Sequence, residues 1–410
     1  MRMRRLSIVL VLVLAPSAAR ADEARLISLE EALLRADTLA PAGREIAAGI
    51  ERARSEIAAS GLWPNPDLSL VREESAGVVE RFATLSQTFP LTGRLSLERD
   101  AARSGAAAAE ADARRDRAAL HAQVRAAFTD LLFAQERSAE LGRGRTRLAE
   151  LVATLRVREE AGESSGFDRM RAERELADVE ADDAEAEGRL AAAAAALAPL
   201  VALPSRGLRA SGALTPGPPL PDQEALAALV SMRGDLVALD AQAERADLLA
   251  RAARRRAVPD ASLTVGTKTT DAGTDDDRGP VIGLGLSLPL FDRGQGGRSV
   301  ATAEAALLRA RRDHLARSIE AGIASAHAEA SARRRAEDQY DSHGDPEDLV
   351  RIARAAYEAG SMRILDLLDA YRTTLAVRLR SLELHAGARR AEAALGLALG
   401  CDLPIVEESR

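Results

Sequence analysis

Two hydrophobic periods alternate along this chain. Period two is cleanest in Val281–Leu288, where Ile282, Leu284, Leu286 and Leu288 face one way and Gly283, Gly285 and Ser287 the other. Ala261, Leu263 and Val265 alternate with Ser262 and Thr264 in the same manner. A weaker run sets Ala83, Leu85, Gln87 and Phe89 against Phe82, Thr84, Ser86 and Thr88. With Asp67-Leu68-Ser69-Leu70, these runs predict four strands, at about 67–75, 80–90, 260–270 and 280–290. Each is about ten residues long, the length of a tilted strand that crosses a bilayer. An apolar face backed by a small or polar one suits a wall between lipid and a wet lumen. Ile282, Leu284, Leu286 and Leu288 are the expected lipid-facing row. Asp271–Gly279, with three consecutive aspartates, is expected to be an exposed loop.

Everywhere else the period is 3.6. A first helix is expected from Ser28 to Ser60, opened by a capping box of Ser28 and Glu31. Its counterpart runs from Asp222 to Arg256. No proline interrupts Leu95 to Glu160, so one helix of roughly 100 Å is expected there. Its apolar stripe is Leu120, Val124, Phe128 and Leu131, continued by Gln135. Near the C-terminus Leu368, Leu375 and Leu382 recur every seven residues, which implies coiled-coil packing.

The order of elements occurs twice. Asn65–Leu70 aligns with Val258–Leu263, Phe89-Pro90-Leu91 with Leu288-Pro289-Leu290, and Glu160-Ala161-Gly162 with Glu358-Ala359-Gly360. The offsets are 193, 199 and 198 residues, so a whole architectural unit is duplicated. Residues 22–203 form the first repeat and 222–402 the second, with 403–410 as a tail. Residues 204–221 carry five prolines and three glycines and read as a semi-extended linker.

Composition adds an address. Arg2, Arg4 and Arg5 precede the apolar run Leu6–Leu14, and Ala19-Arg20-Ala21 offers a small-x-small cleavage site, so residues 1–21 read as a secretory signal peptide. The formal charge of −7 becomes −11 without that segment, which argues against nucleic acid as a partner. No internal apolar stretch is long enough for a transmembrane helix. A membrane span would therefore have to be built from strands. Aromatic residues are only 2% of the chain, too few for full girdles at both interfaces.

Four passages resemble the bacterial outer-membrane efflux protein family, the TolC-like outer-membrane factors, and within it the heavy-metal and cation efflux branch. Ile27–Leu33 resembles the opening helix, and Gly61–Leu68 the entry to the first strand. Leu286–Gly294 resembles the last strand's exit, with Pro289, Leu290, Phe291, Asp292, Arg293 and Gly294 as the exit motif. Tyr357–Gly360 with Leu365–Ala370 resembles the second hairpin tip. The resemblance implies a mainly α fold with a small β part. Each of two tandem repeats is helix, two strands and a long helical hairpin. Three protomers close a twelve-stranded outer-membrane β-barrel, continued by a periplasmic α-helical barrel. It implies a homotrimer in outer-membrane lipid, working with a periplasmic adaptor and an inner-membrane transporter. The hairpin tips would gate the pore and dock the adaptor, with Gly162, Phe167 and Asp168 in one repeat and Gly360, Leu365 and Asp366 in the other. Asp366 has a second reading, as a carboxylate that stabilises a helix N-terminus. The first repeat departs from the family pattern at Phe89–Arg94 and at its tip.

Catalytic chemistry is not expected, and neither is a cofactor. The single cysteine, Cys401, excludes an internal disulfide. Among five scattered histidines only His343, near Asp341, Asp345 and Asp348, has metal-ligand company. Gly294-Gln295-Gly296-Gly297 resembles a phosphate loop in composition alone. The function expected is passive conduction from a transporter and adaptor to the exterior. A type I protein secretion channel and an exported coiled-coil scaffold are the alternatives.

Overall fold

The computed structural model describes residues 25–214, 219–273 and 276–401; the signal segment and the tail lie outside them. Helices α1 (Leu29–Thr38) and α2 (Pro41–Ala59) replace the single first helix expected. Pro41 causes the break. It has no N–H to give the preceding turn, and it opens α2 from the first position, where none is needed. The Ser28 hydroxyl caps α1 by accepting from the Glu31 N–H at 3.1 Å.

Strands β2 (Asp67–Ser75) and β3 (Val78–Phe89) form a hairpin that feeds α3 (Arg94–Glu160) and α4 (Gly166–Val201). The second half begins with α5 (Gln223–Val230) and α6 (Gly234–Arg255), again two helices where one was expected. The division falls where α6 crosses α3. At Gly234 a Cβ would stand 2.4 Å from the Ala111 carbonyl oxygen, so only glycine lets the chain turn in so close. The second hairpin, β5 (Asp260–Asp271) and β6 (Asp276–Ser287), feeds α7 (Gln295–Asp341), α8 (Glu347–Glu358) and α9 (Ile364–Leu399). The break between α7 and α8 has no counterpart in the first repeat. Gly344, at φ +87°, and Pro346 end one helix and reset the next.

Two short strands were not expected. β1 (Arg25–Ile27) pairs in parallel with β4 (Leu208–Ala210), which lies inside the proline-rich linker. Gln135 binds that edge through both ends of its amide: Nε2 donates to the Ala210 carbonyl at 3.0 Å and Oε1 accepts from its N–H at 2.7 Å. The apolar stripe of α3 therefore ends in a side chain that substitutes for a neighbouring strand.

The three largest buried clusters among the described residues all join helices. Leu120, Val124, Phe128 and Leu131 of α3 meet Leu197 and Val201 of α4 beside Ile27 and Leu208. Leu226, Leu236, Ile319, Ile323 and Leu395 join α5, α6, α7 and α9. Leu148, Leu151, Val152 and Leu155 pack on Ile364, Leu367 and Leu368 at the hairpin ends.

A buried ionic cluster joins α7 to α9. Arg389 donates to Glu337 at 3.3 Å and pairs with Glu392 at 3.0 Å, which also meets Arg334 at 3.2 Å. Burial pushes the Glu337 and Glu392 carboxyls above the usual carboxylate range, against the pull of Arg389. A carboxyl raised on folding holds its proton more tightly in the folded chain. Stability is therefore lost as pH rises from the ordinary carboxylate value through the raised one. Glu337→Gln is expected to flatten that dependence, as measured by heat denaturation across the acid range.

Candidate functional site

The four long strands make one antiparallel sheet in the order β2-β3-β5-β6, so the two hairpins lie side by side, and among the described residues both outer edges are unpaired. The register carries one row across all four strands: Leu68 opposite Leu85, Leu85 opposite Val265, Val265 opposite Ile282. Paired residues share a face. That face also holds Leu70, Ala83, Leu263, Leu284 and Leu286. It is bare in the protomer, with Ile282 76% and Leu284 86% exposed. Such a contiguous apolar surface needs a cover.

The opposite face is mostly small and polar, with Val71 and Phe82 the large apolar exceptions, in one row with Lys268 and Gly279. Ser69, Thr84, Gly266 and Val281 form one row; Ser86, Thr264 and Gly283 form the next. Thr264 donates to the Ser86 hydroxyl at 3.1 Å. Towards the turns this face becomes acidic, with Glu73, Glu80 and Asp277 in one row. Lys268 relieves it, 2.5 Å from Glu80.

The polar segment expected as a loop over Asp271–Gly279 is mostly paired. β6 begins at Asp276 opposite Asp271, because a strand end wet on both faces tolerates charge. The same strand stops at Ser287, leaving Leu288 just beyond it, still exposed.

The exit motif is a rigid corner. The Asp292 carboxylate accepts from the Gly294 N–H at 2.9 Å, and Gln295 Oε1 accepts from the Arg293 N–H at 2.7 Å. Gly294 stands at φ +76° as the N-cap of α7. A Cβ there would lie 2.0 Å from the Ala253 carbonyl oxygen. Pro289 sits at the bend, where the Leu290 N–H closes a tight turn on the Leu288 carbonyl at 2.9 Å. Leu290 and Phe291 project into the open beside the apolar face. The glycine-rich stretch begins at this corner with Gly294 and continues as the first turn of α7.

At the far end the two hairpin tips share one core. Gly162 (φ +77°) and Gly360 (φ +71°) each end a helix in the left-handed conformation. The Arg158 guanidinium lies 5.2 Å from the Tyr357 ring centre, so the tips touch. Asp168 sits in the first turn of α4, its N–H bonded to the Ser165 hydroxyl at 3.3 Å. Asp366 occupies the equivalent place in α9, 3.6 Å from Arg363. Phe167 is exposed, and Met170 beside it is too. Leu365, the other apolar tip candidate, is half-buried against the hairpin core. Nothing in the sequence separated it from Phe167, because both follow a helix cap.

His343 is not gathered into a ligand set. Its Nδ1 faces the Gln339 carbonyl at 2.8 Å, while Asp345 holds Arg378, Asp348 holds Arg351, and Asp341 meets His385. Among the described residues no group of three or more metal-ligating side chains converges.

Two long helical hairpins thus carry, at one end, a four-stranded sheet with open edges and one apolar face. Residues 226–401 match the family described as outer membrane efflux protein. Over 328 residues the chain is 31% identical to the cobalt-zinc-cadmium resistance protein CzcC of Cupriavidus metallidurans, covering 78% of this chain and 77% of that one. It is 27% identical over 300 residues to the nickel and cobalt resistance protein CnrC of the same organism, covering 70% and 69%. The fold is similar to the open state of the MtrE outer membrane channel of Neisseria gonorrhoeae, with 21% identity, a TM-score of 0.73, and 92% and 89% of the two chains covered. The chain belongs to the outer membrane efflux protein family.

Proposed function

We propose that three copies of this chain form an outer-membrane channel that conducts cobalt, zinc, cadmium or related cations out of the cell, as one part of a tripartite pump. The observation that carries the reading is the sheet: four strands, two open edges, and one apolar face against one polar face. Strand directions alternate, so the free edge of β6 on one copy meets the free edge of β2 on the next in antiparallel sense. Closure removes edges that would otherwise aggregate. The cargo is supported by the resistance proteins to which the chain is similar. An acidic inner row near the turns suits a cation path. Export by the segment at 1–21 and division at residues 204–221 belong to the same reading.

The hairpin tips are the proposed gate and the dock for a periplasmic adaptor that links the channel to an inner-membrane transporter. Replacing Gly360 with valine and Asp366 with alanine together is expected to abolish efflux while trimers remain in the outer membrane. Unchanged metal resistance in that variant counts against tip docking. Deletion of the gene is expected to sensitise the cell to cobalt, zinc or cadmium, with recovery on re-expression. Equal growth of both strains on all three metals contradicts the cargo assignment.

A further inference from the structure

The same register that aligns the apolar row also aligns three arginines. Arg72 lies opposite Arg81, Arg81 opposite Thr269, and Thr269 opposite Arg278. These residues stand four positions towards the turns from Leu68, Leu85, Val265 and Ile282, and on the same face. At about 3.3 Å per residue the offset is ~13 Å along the strands, roughly half the height of a barrel's apolar band. The arginines therefore border the apolar face on the side away from the helices.

Like charges set directly opposite each other weaken a sheet. On the polar face the comparable pair, Glu73 opposite Glu80, is relieved by Lys268 at 2.5 Å from Glu80. The arginine row has less relief. Arg72 reaches Glu74 at 3.2 Å, and both side chains are mostly exposed. Among the described side chains Arg81 has no acid partner, and Arg81 and Arg278 are both exposed. The acidic positions Glu74, Asp271 and Asp276 share the next row, further from the apolar band, and the Asp271 carboxylate accepts from the Gly273 N–H at 3.1 Å. Guanidinium groups at this level, with alkyl-binding surface directly beneath them, match an amphiphile that carries phosphate on its headgroup.

We propose that Arg72, Arg81 and Arg278 form a phosphate-binding row for the phosphorylated glycolipid of the outer leaflet, whose acyl chains lie against the leucine rows below. This rests on the outer-membrane reading, with the turns outside and the helices in the periplasm. Threefold repetition would place such a row on each protomer, around the barrel's outer rim.

The test is lipid retention by the full-length, detergent-purified protein, counted by native mass spectrometry. The probes are bisphosphorylated lipid A and the same lipid with both phosphates removed. The wild-type protein is expected to retain the phosphorylated form about tenfold better, as charge-assisted hydrogen bonds would give. That preference is expected to vanish in the triple variant Arg72→Gln, Arg81→Gln, Arg278→Gln and to persist in part in the corresponding lysine variant. Excess inorganic phosphate is expected to leave retention unchanged. Equal retention of the two lipids by wild type overturns the proposal without recourse to any variant, as does displacement by inorganic phosphate. Failure of the wild type to enter lipid vesicles at all would instead overturn the membrane reading; entry with indifference to phosphate removes only this inference.

Discussion

The double replacement of Ile282 and Leu284 by arginine is expected to empty the outer membrane of this protein. Both side chains project from the sheet's apolar face, and neither is packed against the protomer. In a soluble protein, arginine at such exposed positions would be close to neutral. In a barrel wall each would have to enter lipid, at a cost of about 2–4 kcal/mol near the midplane. In the proposed trimer the penalty recurs in every protomer. A replacement on the opposite face makes the comparison sharp: Ser69→Arg lies in the row with Thr84 and Gly266, faces the proposed lumen, and is expected to insert. The measurement is abundance in isolated outer membranes. Normal levels of the double variant contradict the assignment of faces.

Gly294→Ala is expected to be nearly as damaging, for a different reason. The new methyl group would meet the Ala253 carbonyl 2.0 Å away, where α6 ends and α7 begins. Main chain on both sides leaves nothing to move aside. The φ of +76° adds the ordinary strain of a left-handed alanine, about 1–2 kcal/mol. Gly93, the corresponding cap in the first repeat, separates the two contributions. It stands at φ +70°, but a Cβ there would meet nothing nearer than the Ser96 hydroxyl at 3.9 Å. Gly93→Ala is therefore expected to show the strain alone and to leave a folded channel. Heat denaturation of the purified proteins compares the two, with Gly93→Ala mildly lowered and Gly294→Ala absent or grossly unstable. Equal behaviour would mean that the close approach at Ala253 carries no weight.

Much of this architecture is legible in the residues because the two periods are so different. Ile282-Gly283-Leu284-Gly285-Leu286 admits no helical face. The alanine-rich run after Arg94 admits no strand face. The glycines that end the hairpins are equally readable, since Gly162 and Gly360 each follow a helix and precede an acidic first turn. What escaped were features set by approach between distant segments. Gly234 reads as a tolerable glycine inside one helix, and only the crossing of α3 shows why the chain breaks beside it. The β1–β4 pair is three residues long on each side, too short for alternation to register. Its one sequence signal was Gln135 ending an apolar stripe.

The site divides in the same way. Which side of each strand is apolar follows from alternation alone, but which residues become neighbours depends on strand order and register. Arg72, Arg81 and Arg278 are scattered in sequence and adjacent in the sheet for that reason. Leu365 and Phe167 follow similar caps, yet one turns into the hairpin core and the other out of it. That choice depends on the neighbouring hairpin.

Single-channel recording with the purified full-length protein in a planar lipid bilayer bears most directly on all of this. Discrete, long-lived conductance steps that favour cations over anions are the expected result, and the Ile282→Arg, Leu284→Arg protein should produce none. A wild-type preparation that remains monomeric in aqueous buffer and leaves the bilayer silent would mean that the bare leucine face is covered by something other than lipid.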